Sequence, residues 1–211
     1  MQDLAPDDLR RAASFVVETF TPAAEADWSV GAGDVEWTCR ETLDHTIDGL
    51  LWYAANLATL ATSRREDLRA GRHRDPRPSI AQLLDGLDTA AHILARVVEA
   101  TPSDARGYHG SGMADATGFI GMGCDETLVH GFDISLGLGL PYAPPPEVCA
   151  RTVARLFPWA PDHDDPWPLL LWCNGRVALP GSARIGPGWG WWSRPLDEWN
   201  GVPYTDTWAG D

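Results

Sequence analysis

The chain has 211 residues, 44% of them hydrophobic and 22% charged, which is enough for one domain of moderate size with its own core. Thirty acidic residues face sixteen basic ones, all arginine, for a formal net charge of −14; this argues against a non-specific nucleic-acid binder or a binder of anionic membranes, both of which need clustered positive charge. No stretch approaches the roughly 20 apolar residues of a membrane helix. The first residues lack a basic segment followed by an apolar run, and Cys39, Cys124, Cys149 and Cys173 form no C-x-x-C pair, so a cytoplasmic protein with reduced thiols is expected.

The first predicted helix runs from about Pro6 to Phe20, with proline at its start and Pro22 closing it. A loop rich in glycine and aspartate, "AEADWSVGAGDVEW", follows. The second helix opens at a capping box, Thr38 with Glu41, and is expected to continue to about Ser63. A charged linker, "SRREDLRAGRHRDPRP", leads to a third helix from Ser79, again capped in pattern by Gln82, to about Ala100. After a second glycine-rich loop, a fourth helix covers roughly Phe119 to Leu138, and "PPPEVCARTVARLF" makes a shorter fifth. Four long helices and a short one predict an all-α protein built as a four-helix bundle. Residues 1–164 form that unit. Residues 165–211 are a short tryptophan-rich extension, in which "PLLLWCNGRVALPG", two apolar runs about Asn-Gly, predicts a β-hairpin.

The chemistry concentrates in "DETLVHGFDISLGLGL", residues 125–140. Residues four apart on a helix share a face, so Glu126 and His130 project together, with Asp133 one turn further on. An ionised carboxylate in so apolar a stretch needs a partner. On the second helix His45 shares a stripe with Glu41, Asp48, Gly49, Trp52 and Asn56, a mixture that suits either a solvated surface or a pocket wall. Bundles build metal sites by aiming side chains from different helices at one point. His45, Glu126 and His130 would form such a His₂Glu set, leaving a fourth position open, as in catalytic zinc sites. Asp48 and Asp133 would then orient the imidazoles. Glu–His pairs at this spacing also arise by chance, and a helical histidine is often only hydrogen-bonded scaffold.

"DWSVGAGDVEWTCRETLDHTIDGLLWY" resembles the start of the DinB-like domain in mycothiol-dependent maleylpyruvate isomerases, where a tryptophan-containing loop enters a helix bearing the first metal-binding histidine. "DETLVHGFDISLGLGLP" resembles the E-x-x-x-H-x-x-D segment of the same family. The resemblance covers roughly residues 5 to 160. It implies a DinB-like bundle whose metal ligands fall at His45, Glu126 and His130, and a divalent cation, usually zinc with nickel or another ion as the alternative, that holds a low-molecular-weight thiol as thiolate. The implied activity is S-transfer to, or isomerisation of, a small electrophilic substrate. Metal-assisted hydrolysis is a rival reading, and a non-catalytic small-molecule or partner-binding protein is another.

One departure from the family is large: the isomerase carries a sizeable mixed α/β second domain, whereas only 46 residues follow Asp165 here. Trp52 is expected in the pocket wall. Arg176, Arg184 and Arg194 are candidates for a substrate carboxylate, with ordinary surface arginine as the plainer account of each. His163, in "PDHDDP", and His109, in "GYHGSG", read as exposed loop residues. His73 and His92 have no evident partner, and Cys124 reads as a buried structural thiol. The tryptophans of the tail, Trp189 to Trp208, read as packing across the open end of the bundle. No phosphate-binding loop or G-x-S-x-G motif is present.

Overall fold

The computed structural model describes residues 3–65, 77–186 and 188–202. Most of the charged linker, with His73, and the end of the tail, with Trp208, lie outside the described residues. The described residues include six α-helices and a two-stranded antiparallel sheet: α1 Pro6–Phe20, α2 Cys39–Ala58, α3 Ile80–Ala100, β1 Gly107–His109, β2 Gly112–Ala114, α4 Ala116–Leu138, α5 Pro146–Leu156 and α6 Pro166–Cys173. Helices α1 and α2 each pack on α3 and α4, while α5 lies against α4 and α6. Among the described residues no helix is long and apolar enough to cross a membrane.

Local sequence fixes the helix starts. Thr38 accepts from the Glu41 amide while Glu41 reaches back to the Thr38 amide, and Ser79 and Gln82 repeat the arrangement, so both capping boxes form. Asp115 caps α4 by accepting from the Gly118 amide at 2.6 Å, which starts that helix three residues before the expected Phe119. Helix α2 stops at Ala58 rather than Ser63. Its last turn closes through Ala61 N to Asn56 O and Leu60 N to Leu57 O, with Leu60 at φ 48° in the left-handed region usually given to glycine.

The core follows periodicity on the outer helices. Leu9, Ala12, Ala13, Val16 and Phe20 form the inner stripe of α1, and Leu83, Leu84, Leu87, Ala91, Leu94 and Val98 that of α3. Helix α4 is different, buried on almost every side from Gly118 to Ser135. Where it meets the loop before α2, a methyl on Gly137 would collide with the Gly31 carbonyl and Cys39 Sγ, so glycine there permits the close approach.

The expected hairpin in the extension is a helix. Asp165 caps α6 through the Trp167 amide, Pro166 takes the first position, and Asn174-Gly175 ends the helix instead of turning a hairpin. Arg176 N reaches Leu171 O, Gly175 N reaches Trp172 O, and Gly175 sits at φ 62°, which together make a Schellman motif. Asn-Gly supplies left-handed backbone in both settings, and the apolar run before it is short enough for either. The sheet forms instead around the two-residue Gly-Ser turn at Gly110-Ser111, where Gly107 pairs with Ala114 and Tyr108 with Met113. Leu169, Leu170 and Cys173 join the same core as α1–α5, and Trp189 and Trp191 pack against it.

Candidate metal centre

Helices α2 and α4 bring His45, Glu126 and His130 together, although 81 residues separate the first two along the chain. One ligand atom from each lies within 4.8 Å of the other two. His130 Nε2 stands 3.0 Å from Glu126 Oε2, and His45 Nε2 stands 3.8 Å from the same oxygen. The two imidazoles are nearly perpendicular, with ring centroids 5.3 Å apart. Trp37, at the end of the loop entering α2, lies against them, 4.3 Å from the His45 ring and 6.2 Å from that of His130. All three side chains are partly buried; His45 keeps the most contact with solvent, 24% against 13% for each of the others.

Each group on α4 has a support. Tyr53, two turns beyond His45 on α2, donates its hydroxyl to Glu126 Oε1 at 3.0 Å. His130 Nδ1 meets Asp133 Oδ2 at 3.1 Å. Asp133, 1% exposed, accepts twice from Arg176, at 3.0 Å from Nε and 2.8 Å from Nη2, the bidentate geometry that suits a guanidinium. Asp125, also 1% exposed, accepts from Asn174 Nδ2 at 2.7 Å and Trp191 Nε1 at 2.9 Å.

Burial acts against every charge here, and the partners decide the outcome. It raises Glu126, but the hydrogen bond and charge of His130, with His45 and Tyr53, outweigh it and hold the carboxyl down at about 2. Burial lowers His130, but Asp133 and Glu126 outweigh it and raise the imidazole to about 9. Asp133 stays below the usual carboxylate range because His130 and Arg176 overcome its desolvation. Asp125 has only neutral donors, so burial prevails and lifts it to about 7.

These shifts carry a pH prediction for the metal-free protein. The contribution of His130 is complete below its unfolded value near 6.5 and is lost as pH rises through about 9. That of Glu126 is complete above about 4.5 and is lost as pH falls through about 2. Urea midpoints measured with chelator present should therefore decline between about pH 6.5 and 9, and His130→Gln should remove that limb of the profile. A decline of equal size in the variant would assign it to other groups.

The donor set fits a divalent cation of the zinc type: two imidazole nitrogens and one carboxylate oxygen. Ligand atoms about 2.0 Å from a tetrahedral ion stand roughly 3.3 Å apart, and here His130 and His45 stand 3.0 and 3.8 Å from Glu126 Oε2, with all three ligand atoms within 4.8 Å of one another. His130 Nδ1 donates to Asp133, which leaves Nε2 as the ligating atom, the carboxylate–histidine arrangement that metal sites use.

The remaining expected site residues are distributed as follows. Asp48 is half-buried on α2, one turn past His45. Trp52 is 5% exposed, its indole donates to Arg65 O at 3.3 Å, and its ring lies 5.8 Å from that of His109. The guanidinium of Arg176 is engaged by Asp133. Arg184 pairs with Asp34, and Arg194 is exposed beside the Trp192 ring. His109, expected in solvent, is buried: the β1–β2 turn folds it inward, where Ser111 N donates to its Nδ1 and its ring lies 5.5 Å from those of both Tyr53 and Trp191. Tyr53, Asp125 and Asn174 are not among the expected site residues, and Trp191 is expected only as tail packing, not as a donor to Asp125. For Tyr53 a signal existed, since eight residues after His45 returns close to the same helix face. Cys124 and the other three cysteines are free and buried.

The described residues are mostly helical and place a cluster of two histidines and one carboxylate between two helices, an arrangement from which helical bundles can build metal sites. The particular family is given by the sequence itself: the family model described as mycothiol maleylpyruvate isomerase N-terminal domain matches residues 9–135, and the chain belongs to that family. The match runs from within α1 through most of α4 and contains all three residues of the cluster. Searches of curated proteins and of solved structures returned no match.

Proposed function

We propose that α1–α4 form a DinB-like four-helix bundle that binds one divalent cation, zinc by its donor set, through His45, Glu126 and His130, and that the protein is a thiol-dependent transferase or isomerase acting on a small electrophile. The observation that carries this is the convergence of the three ligand atoms, together with membership of a family named for a mycothiol-dependent reaction. A cation bound there supplies Lewis-acid activation and keeps a coordinating low-molecular-weight thiol in its thiolate form.

The chain's own residues do the rest. Glu126, held by Tyr53 on its other oxygen, offers one carboxylate lone pair in a fixed direction. Asp133 holds the His130 ring, and Asp48 is assigned the same task for His45. Trp37, lying against both imidazoles, forms a wall that excludes water and offers an apolar face to a substrate. Trp52, with His109 and Tyr53, extends that apolar wall. Arg194, exposed, is the remaining candidate for a substrate carboxylate. The four buried free thiols suit the reducing cytoplasm.

The test is zinc content of the purified protein, followed by consumption of a model electrophile with and without a thiol of the mycothiol type. Zinc at about one equivalent and consumption that requires the thiol support the proposal. Turnover without thiol favours a hydrolase in which water takes the open position. Zinc uptake without any turnover leaves a binding protein, and no uptake removes the reading.

A further inference from the structure

The carboxylates that flank the ligand pair on α4 are both gripped by a segment that lies beyond the family match. Asp133 is held by Arg176, and Asp125 by Asn174 and Trp191. The match ends at residue 135, so these three residues belong to this chain's extension and not to the shared domain. The local chain explains how Arg176 gets there. The Schellman turn that ends α6 at Gly175 reverses the backbone, and Arg176 is the first residue after it. Its Nη1 donates to Asn174 O at 3.0 Å, which fixes the guanidinium plane while Nε and Nη2 face Asp133. On the other side Gly33 crowds Asp133, where a Cβ would come within 3.2 Å of Oδ1. Asp133 is therefore held from both sides.

Resting on the metal reading above, we infer that Arg176 is a positioning residue for the metal centre: it fixes Asp133, which fixes the tautomer and ring orientation of His130. The C-terminal extension is thereby part of the site. In the neutral imidazole only one nitrogen carries a proton, and an acceptor held at Nδ1 keeps that proton there and the Nε2 lone pair aimed at the cation. A free carboxylate swings, and so does the ring it holds. Lysine in place of Arg176 keeps the charge but not the two parallel hydrogen bonds. A substrate-carboxylate role for Arg176 would require it to leave a buried carboxylate whose other partner is the His130 imidazole that it holds in place.

The experiment uses the full chain. Zinc affinity is measured by competition with a chromophoric chelator for wild type, Arg176→Met and Arg176→Lys, and the cobalt(II)-loaded forms are compared by visible absorption. Arg176→Met is expected to weaken zinc binding about 10- to 100-fold, the range found for outer partners of metal ligands, and to alter the cobalt spectrum, with Arg176→Lys between the two. If the methionine variant fails to fold by circular dichroism, the lysine variant decides by the same two readouts. Wild type that binds zinc while the folded variants bind within about twofold of it, with an unchanged cobalt spectrum, overturns this inference and leaves the metal reading intact. Wild type that binds no zinc removes both.

Discussion

His45→Ala is expected to lower zinc affinity by more than roughly 100-fold, beyond the loss that outer partners produce, while leaving the stability of the metal-free protein nearly unchanged at pH 7. The imidazole is the most exposed of the three and sits 3.8 Å from Glu126, against 3.0 Å for His130, so the apo fold depends on it less than on His130. His130→Ala should cause a similar loss of zinc but should also destabilise the apo protein. It removes the partner of Glu126 at 3.0 Å and of Asp133 at 3.1 Å, and Glu126 then keeps only Tyr53 and the more distant His45. Chelator-competition titrations paired with urea denaturation of chelator-treated protein measure both quantities. If His45→Ala retains wild-type zinc affinity, the ligand set is wrong whatever His130 does. If both variants lose zinc but only His130→Ala loses apo stability, binding and folding are separated at one site.

The residues of the cluster were legible because helical spacing places Glu126 beside His130 without any tertiary knowledge. Their meeting with His45 was one arrangement among several that the residues allowed, and the family's resemblance singled it out, since nothing in helix periodicity says which faces of α2 and α4 turn toward each other. Helix α4 shows why. It is apolar around most of its circumference and buried accordingly, so no single stripe marks its inner face. The capping boxes at Thr38 and Ser79 were readable because their chemistry is local, three residues wide. The C-terminal errors also have a local cause. Asn-Gly after an apolar run serves equally as a type I′ turn and as a Schellman ending, and the choice is made upstream by Asp165 and Pro166 at the start of the helix, together with burial against α5. His109 was misplaced for a related reason: the Gly-Ser turn beside it forms a hairpin that faces the core. The clamp by Asn174, Arg176 and Trp191 depends on contacts made across more than forty residues, to which neither periodicity nor motif is sensitive.

Replacing Arg155 by methionine is expected to cost about 3 kcal/mol of stability, the lower end for breaking a buried ion pair. Near a melting midpoint this corresponds to a fall of roughly 6 to 12 °C for a chain of this size. Arg155, on α5, is 5% exposed and donates to five acceptors. Nε reaches Thr117 Oγ1 at 2.9 Å, Nη1 reaches Trp192 O at 3.0 Å, and Nη2 reaches Asp115 Oδ1, Ser193 O and Arg194 O at 2.5, 3.3 and 3.1 Å. One guanidinium thus ties the cap of α4 to the strand of tail that follows Trp191. Methionine matches the length of the stem but offers no donor, so three main-chain carbonyls and a carboxylate each lose a donor at once, the carboxylate keeping the Gly118 amide. Arg155→Lys should recover only part of the loss, because an ammonium cannot span acceptors set around a plane. Hydrogen exchange distinguishes this from a general loosening. The Trp192 amide, bonded to Leu156 O at 2.9 Å, should lose protection well before the amides in the middle of α3. Because Trp191 holds Asp125 beside Glu126, release of the tail should also weaken zinc binding, though less than His45→Ala does. A melting temperature within about 2 °C of wild type would mean that the tail is held by its tryptophans alone.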